Sequence, residues 1–326
     1  MKPITLPANQ PAARFYQGGA QIAAFRGTER HEPNTPEDWV GSTTSVRGKA
    51  PEGMTRLESG ELLADAIASE PEIWLGPEHV ARYGHDCMLL VKLLDAGQRL
   101  PVHAHPDGHF AQTHVAAAHG KAEAWYILSA GTVYLSLTTD IAPEDLLARV
   151  KDQDISSVLP LMHEIDVEPG DCVFVPHGVL HAIGAGILLA EVQEPEDLSI
   201  LLEWEGFDLD GEKDGHLDLG FELALTAVEN SARSSENVEA LIRRGGKAGN
   251  ALAPEAAKFF RLDRVESPTE IAAGFAVVIA VDQGVELTLD SGTKHSLAPG
   301  TTTLLPFAAG SYVLEGPALV ARPPAA

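Results

Sequence analysis

Six short apolar segments between residues 87 and 193 constrain the fold of this chain more than any other feature. Each has the length of a β-strand, and turns such as Ala130-Gly131 and Glu168-Pro169-Gly170 separate several of them. The segments are MLLVKLLDA (88–96), AWYILSA (124–130), TVYLSLTT (132–139), HEIDV (163–167), DCVFVP (171–176) and GILLAEVQ (186–193). Short strands spaced in this way indicate an antiparallel sandwich or barrel, so the sequence predicts a mainly β fold.

The remaining sequence divides around this β core. The predicted parts are an N-terminal arm that joins the core (1–86), the core itself (87–216), a helical segment and linker (217–250) and a second, smaller β domain (251–326). Within the arm we expect a short helix near Gly19–Phe25 and another over Ser59–Ala68, with Ser59 as its N-cap. A helical insertion at 142–152 interrupts the strands of the core.

A weak internal repeat connects the two β domains. Pro169-Gly170 is followed by Pro176 and His181, and Pro299-Gly300 is followed at equal spacing by Pro306 and Ser311. Equal spacing of turn residues suggests two copies of one architecture. Because serine replaces histidine in the second copy, we expect the C-terminal domain to be structural and without metal.

The charge balance excludes one class of partner. The chain has 47 acidic and 23 basic residues, for a net charge of −24, and lacks the basic stripe that nucleic acids require. An anionic membrane surface is disfavoured for the same reason. Two cysteines are too few for a disulfide framework, and no apolar stretch approaches the length of a membrane span. We therefore expect a cytoplasmic protein with a small-molecule partner.

A histidine cluster supplies the candidate metal ligands. His103 and His105 are two residues apart, so in a strand both imidazoles project from one face. Glu123 lies in the next strand segment, and His181 follows the turn PHGVLH. Three imidazoles and a carboxylate suit Zn, Fe, Mn, Ni or Co and leave coordination positions for a substrate. The neighbouring histidines are expected in a solvated insertion: His109, His114 and His119.

These motifs resemble the cupin superfamily. Gly170, Pro176, Gly178 and His181 match its second motif, and the HxH of its first motif stands at 103/105. The glutamate of the first motif is displaced to Glu123, which is typical of the type I mannose-6-phosphate isomerases. The chain resembles that family from about Phe15 to about Gly206. The matching segments are YQGGAQIAAF (16–25), EDWVGS (37–42), LLVKLLDAGQRLPVHAHPD (89–107), HGKAEAWYIL (119–128) and PHGVLHAIGAGILLAEVQ (176–193).

The resemblance implies a metal-binding cupin (jelly-roll) barrel followed by a degenerate cupin-like domain. The implied ligands of one divalent metal, Zn²⁺ by expectation with Fe, Mn, Ni or Co as alternatives, are His103, His105, Glu123 and His181. His103 departs from the family pattern, where a glutamine stands. The family's substrate-facing lysine falls on Lys121, and its candidate acid/base glutamate falls on Glu191.

The substrate pocket diverges from the family. The segment EDLSILLEWEGF places Leu201 and Phe207 where the family has arginines. A phosphate dianion prefers a guanidinium, so these two replacements argue against tight binding of a sugar phosphate unless another segment supplies the cation. The residues that could do so by charge are Lys213, Arg243, Arg244 and Lys247.

The resemblance implies an aldose–ketose isomerase. It would act on mannose 6-phosphate or a related, including non-phosphorylated, sugar through a cis-enediol. Glu191 would be the base, and Lys121 would hold or protonate a substrate oxygen. An Fe(II) cupin oxygenase remains an alternative because His103 adds a third imidazole. A non-catalytic sugar-binding cupin is the second alternative, and the metal, the sugar and the oligomeric state stay open.

Overall fold

The computed structural model describes residues 1–28 and 32–326 and is built mainly from antiparallel strands. In chain order the strands are β1 (Ile4–Leu6), β2 (Glu37–Val40), β3 (Leu90–Asp95), β4 (His103–Ala104), β5 (Glu123–Ile127), β6 (Gly131–Leu137), β7 (Met162–Val167), β8 (Cys172–Val175), β9 (His181–Ile183), β10 (Leu188–Gln193), β11 (Ile200–Leu201), β12 (Ile242–Arg243), β13 (Gly249–Asn250), β14 (Arg261–Val265), β15 (Thr269–Ile271), β16 (Ala276–Ala280), β17 (Val285–Leu289), β18 (Lys294–Leu297), β19 (Thr302–Leu305), β20 (Tyr312–Glu315) and β21 (Ala318–Arg322).

Two eight-stranded units of identical strand order form the body of the chain. In the first, β8-β5-β10-β3 form one sheet and β4-β9-β6-β7 the other; in the second, β19-β16-β21-β14 and β15-β20-β17-β18 occupy the corresponding places. Each strand of the first unit therefore has one counterpart in the second. Two four-stranded antiparallel sheets in this order form a jelly roll, which confirms the mainly β cupin fold and its cupin-like second copy.

The repeated turns match between the units. Gly170 and Gly300 adopt φ of 96° and 76°, a left-handed conformation that favours glycine, just before β8 and β19. In each unit the chain then crosses to the opposite sheet, where His181 begins β9 and Ser311 directly precedes β20. The equal spacing in the sequence thus reflects equivalent turns.

The N-terminal arm connects both units. β1 pairs with β19 of the second unit, and β2 pairs with β3 of the first. The helix Ala20–Arg26 lies between them, and Arg26 donates hydrogen bonds to the carbonyls of Leu6 and Gly300. The arm thus joins the core, as expected, and also extends a sheet of the second unit.

Short helices fill the connections. The α-helices are Ala20–Arg26, Leu63–Ser69, Pro71–Leu75, Pro77–Tyr83, Gly108–Phe110, Pro143–Lys151, Gly211–Asp214, Phe221–Ala224 and Ser235–Glu239; a π-helix spans Ala111–Val115, and 3-10 turns span Ile155–Ser157, Leu159–Leu161, Leu225–Ala227, Pro254–Lys258 and Phe307–Ala309. The predicted insertion at 142–152 is confirmed as Pro143–Lys151. Within the described ranges, no helix is long and apolar enough to cross a membrane.

Two local predictions need correction. The helix expected over Ser59–Ala68 begins at Leu63, because the Ser59 hydroxyl accepts the N–H of Glu61 in a preceding turn and caps nothing. The helical segment expected within 217–250 contains short helical turns and also β12, because the backbone of β12 hydrogen-bonds with the edge strand β8. Farther along, Gly246 packs against Gly170, and β13 pairs with β14, so this connection is held against both units.

Candidate metal centre and active site

Strand register brings the three predicted histidine ligands together. His103 on β4 is the register partner of His181 on β9, and His105 lies two residues beyond His103. One ring nitrogen from each lies within 4.8 Å of the others, and all three side chains are buried. Glu123, the first residue of β5, places its carboxylate oxygens 3.1 Å from His105 Nε2 and 3.3 Å from His181 Nε2. The residues inferred from the sequence therefore form one cluster.

Backbone carbonyls determine the tautomer of each ring. The Nδ1 atoms of His103, His105 and His181 lie 2.8, 2.6 and 2.8 Å from the carbonyl oxygens of residues 101, 198 and 179. A carbonyl can only accept, so each Nδ1 carries the proton and each Nε2 presents a lone pair. Metal-binding histidines are oriented by the same kind of hydrogen bond.

The cluster has an excess of acceptors. Burial lowers the pKa of His103 far below its usual value and that of His105 to about 3, so both rings are neutral. The His181 Nε2 atom has no hydrogen-bond partner among the described residues. Lone pairs that converge beside a carboxylate require a cation, and three imidazoles with one carboxylate fit a divalent transition metal. The residues present therefore fit a metal ion.

Lys121 supplies a positive charge at the same place. Its Nζ donates to Glu123 Oε2 at 2.6 Å and to His105 Nε2 at 2.9 Å. Burial opposes ionisation of Glu123, but the Lys121 ammonium outweighs it and holds the pKa of Glu123 well below its usual range. The Trp125 indole donates to the other Glu123 oxygen at 3.0 Å. Glu123 is thus a fixed carboxylate anion.

Glu191 lies on the neighbouring strand, β10. It is the register partner of Trp125 on β5 and of Lys92 on β3, and its Oε1 is 3.3 Å from Lys92 Nζ. Burial, reinforced by the charge of Glu123, raises the pKa of Glu191 despite this lysine. A buried carboxylate with a raised pKa beside a cluster of candidate metal ligands is suited to act as a general base.

One cavity of about 400 Å³ joins these groups. His103, Lys121, Glu123 and Glu191 line its inner part. Leu201 also lines it, because β11 places Leu201 directly beside His103. A cavity of this size accommodates a monosaccharide.

Proteins of known identity resemble the chain. It is 35% identical over 186 residues to "Probable mannose-6-phosphate isomerase GmuF" of Bacillus subtilis, a match that spans 55% of each chain. It is 26% identical over 267 residues to the mannose-6-phosphate isomerase ManA of the same organism, over 75% of this chain and 78% of ManA. The chain thus aligns with only about half the length of GmuF. No protein-family model matches it.

A solved structure supports the fold. A mutant of phosphomannose isomerase from Salmonella typhimurium superimposes with a TM-score of 0.76 over 100% of both chains, at 16% identity. In sequence the chain is thus similar to mannose-6-phosphate isomerases, and in fold it is similar to a phosphomannose isomerase. At position 103, where the resemblance implies glutamine, the His103 ring centroid lies 4.0 Å from that of His181.

The cations suggested for the divergent pocket lie elsewhere. Arg244 pairs with Asp171 and Glu239, and Arg243 donates to the carbonyl of Leu252. The cavity lining includes neither arginine, nor Lys213 or Lys247. Phe207, the second residue that replaces a family arginine, packs against the hydrophobic core and is also absent from this lining.

The outer histidines of the sequence cluster remain apart from the metal centre. His109 and His114 are exposed on the insertion that follows β4. His119 pairs with Asp86 at 2.6 Å. The exposure of His109 and His114 agrees with the expectation of a solvated insertion, whereas His119 is partly buried by its contact with Asp86.

Sequence reasoning missed four residues that surround Glu191. Glu37 accepts hydrogen bonds from Tyr16 at 2.5 Å and Arg14 at 3.3 Å, and it lies 3.7 Å from Lys92. All four line the cavity: Arg14, Tyr16, Glu37 and Lys92. Lys92 could have been recognised from the sequence, because it is a charged residue in the middle of the apolar segment MLLVKLLDA. Tyr16 and Glu37 begin two of the matching segments, YQGGAQIAAF and EDWVGS, but neither was assigned a role. Arg14 had no signal, since it lies in an irregular arm.

Proposed function

We propose that this chain is a metal-dependent aldose–ketose isomerase. The substrate is mannose 6-phosphate or a related sugar, and the reaction moves a proton between C1 and C2 through a cis-enediol. The observation that carries this proposal is that Glu191 lines the same cavity as His103 and Glu123, two members of the cluster of three histidines and a glutamate. Relatives named as mannose-6-phosphate isomerases support the same reaction class.

We propose His103, His105, Glu123 and His181 as the residues that hold the metal, with Zn²⁺ as the resident ion and Fe, Mn, Ni or Co as ions that the same donors accept. When bound, the ion supplies a Lewis acid that stabilises negative charge on substrate oxygens. The hydrogen bonds from each Nδ1 to a carbonyl keep the rings oriented.

Glu191 takes the role of proton carrier. Its carboxylate removes the proton from one carbon and returns it to the next, which requires a base that is ionised and only moderately weak. The raised pKa of Glu191 increases its strength as a base. Lys92 and the residues behind it hold the Glu191 carboxylate in place through the 3.3 Å ion pair.

Lys121 orients the substrate. Its ammonium lines the cavity at the metal cluster, where it can donate a hydrogen bond to a sugar oxygen or protonate it. Tyr16 and Phe15 close the cavity from the side of the arm and reduce the access of water.

Isomerisation in deuterated buffer tests the proposal. The chain is stripped of metal with a chelator and reloaded with Zn²⁺, Mn²⁺, Co²⁺, Ni²⁺ or Fe²⁺, and ketose formation is followed from D-mannose and D-mannose 6-phosphate. We expect metal-dependent ketose formation with deuterium incorporated from solvent at C1 of the ketose. Deuterium at C1 supports the enediol route, because a hydride shift would carry the substrate hydrogen without exchange, and absence of ketose with every metal and both sugars would end the isomerase proposal.

The same samples address the alternatives. An Fe(II) oxygenase consumes O₂ in the presence of substrate, and a sugar-binding protein binds sugar without exchange of its protons. The relatives do not favour either reading. The cytoplasmic location expected from the sequence stays a prediction.

A further inference from the structure

Carboxylates compensate the inner cations of the cavity. Lys121 pairs with Glu123 at 2.6 Å, and Lys92 lies between Glu191 and Glu37. Arg14 in turn lies 3.3 Å from Glu37 and 3.6 Å from a rim carboxylate, that of residue 197. None of these inner cations has its charge free for a ligand.

Two exposed acidic residues of the cavity lining lack a basic partner among the residues that the structure describes. Asp208 and Asp214 line the cavity, are exposed and have no basic partner within the described ranges. Both belong to the segment that follows β11. Across the described part of the chain, these two are the lining carboxylates without a neutralising partner, so the rim there carries a net negative charge.

The basic residues Arg47 and Lys49 of the cavity lining offer little compensation. The guanidinium of Arg47 pairs with Asp218 at 3.1 Å, and the backbone N–H of Arg47 donates a hydrogen bond to the Asp197 carboxylate. Lys49 is exposed, and it is the lining cation without an acidic partner in the portion of the chain that the structure describes. One free ammonium against two free carboxylates leaves these exposed lining residues with no net positive charge to attract a phosphate dianion.

The part of the cavity wall directly beside His103 is apolar. Leu201 is the register partner of His103, with 5% of its surface exposed. It presents methyl groups at a position where a charged ester group would lose its hydration without gaining hydrogen bonds. In contrast, the hydroxyls of an uncharged sugar are donors that carboxylate oxygens accept well.

We infer that the preferred substrate is an uncharged aldose without a phosphate group, whose hydroxyls donate to Asp208 and Asp214 at the rim. This inference rests on the proposed isomerase function and specifies the substrate class of the same site. Glu191 Oε1, which is buried and has no hydrogen-bond partner among the described residues, is a further acceptor at the inner end.

The first measurement compares two substrates that differ in one group. D-Mannose and D-mannose 6-phosphate are offered to the metal-loaded chain, and kcat/KM is measured for each, with binding measured separately by calorimetry. We expect kcat/KM to be higher for D-mannose by about tenfold or more, because the two carboxylates repel the ester. A higher kcat/KM for the phosphate ester would overturn the inference and leave the isomerase proposal intact.

A pair of variants ties the preference to the rim. In Asp208→Asn/Asp214→Asn two charges are lost and one oxygen of each residue becomes an amide NH2. We therefore expect kcat/KM for the phosphate ester to rise about threefold to tenfold at low salt, and kcat/KM for D-mannose to fall, because the amides are weaker acceptors for its hydroxyls. Asp210→Asn is the matched control, since Asp210 is exposed in the same segment but does not line the cavity. An equal rise in Asp210→Asn would show a general charge effect and contradict the role of the rim.

Two further outcomes separate the hypotheses. The unaltered chain could prefer the phosphate ester, and Lys49→Ala could lower kcat/KM for that ester alone. Together these results would locate a phosphate at residues 46–49 and overturn the inference. If neither sugar is isomerised but D-mannose binds more tightly than its phosphate, the specificity stands and the isomerase proposal fails. Binding of neither sugar would contradict both.

Discussion

Lys92 and Glu191 face each other across the ladder of β3 and β10, with Lys92 Nζ 3.3 Å from Glu191 Oε1. On its other side the ammonium lies 3.7 Å from Glu37 and 4.9 Å from the centre of the Trp39 ring. All of these groups are buried. The charge of Lys92 therefore acts on Glu191 with little screening by solvent.

Glu191→Gln should lower kcat by about 10²-fold or more, because the amide cannot accept the transferred proton. The metal content should remain unchanged, since Glu191 belongs to β10 and is not one of the four proposed ligands. Steady-state kinetics together with metal analysis check this. Glu194→Gln is the control, because Glu194 is a buried glutamate outside the cavity lining. A Glu191→Gln variant with near-normal kcat would remove this residue from the role of base.

Activity should fall at acidic pH as Glu191 becomes protonated. The base works as a carboxylate, and its raised pKa places the acid limb of kcat/KM above the usual glutamate value of about 4.3. Lys92→Met removes a positive charge that lowers this pKa, so the acid limb should move to higher pH. Profiles of kcat/KM against pH for both proteins, saturated with metal, measure the shift. A limb that stays in place or moves to lower pH would contradict the coupling of these two residues.

Glu37→Gln should reduce the free energy of unfolding at pH 7 by about 3 kcal/mol, because it breaks a buried ionic network. Arg14 and Lys92 outweigh the opposing effect of burial and hold the pKa of Glu37 far below its usual value. A depressed pKa gives stability that is present above the unfolded-state pKa, about 4.3, and is lost as the pH falls towards the folded-state pKa.

The difference in unfolding free energy between the original chain and Glu37→Gln should therefore shrink below about pH 4, in the range where the chain remains folded. Urea unfolding at several pH values measures it. Glu52→Gln in the same arm serves as control, because Glu52 is only partly buried and has no basic partner within the described ranges. A difference that is constant with pH would show that the Glu37 charge is not responsible.

His181→Ala should abolish stoichiometric metal binding, because it removes one of three converging Nε2 atoms. Metal analysis after dialysis measures the stoichiometry. The original chain should gain about 2.7 kcal/mol of stability at a free metal concentration 100 times the Kd, whereas His181→Ala should gain little. His114→Ala, an exposed histidine of the same sequence cluster, should bind as the original chain does. Full metal occupancy in His181→Ala would exclude His181 as a ligand.

The spacing of the strands predicted a mainly β fold, the resemblance implied the jelly roll, and the spacing of the histidines predicted that they lie together. His103 and His105 share a face at a separation of two residues, and the turn around Gly170 leads directly to His181. The wall around Glu191 could not be predicted in the same way. Arg14 contacts Glu37 from an arm without periodicity, and the register that places Lys92 opposite Glu191 is a long-range property.

The segment 217–250 shows a second kind of limit. Its local sequence favours helix, but β12 and β13 form there because the edge strands β8 and β14 offer unpaired backbone groups. Hydrogen bonds between distant segments override local propensity in such cases. The charge of the cavity rim likewise became visible only when Asp208 and Asp214 were located beside it.

The N-terminal arm, which lines part of the cavity, is anchored to the second β unit, which lacks the proposed metal ligands. β1 pairs with β19, Arg26 donates to the Gly300 carbonyl, and a side chain at Gly300 would collide with the carbonyl of Phe25. The wall of the cavity therefore depends on this second unit, which has serine where the first has histidine. A substitution at Gly300 would displace the helix between Arg14 and Glu37, two residues of that wall. The unit without the histidine thus serves as a scaffold for the cavity of the other.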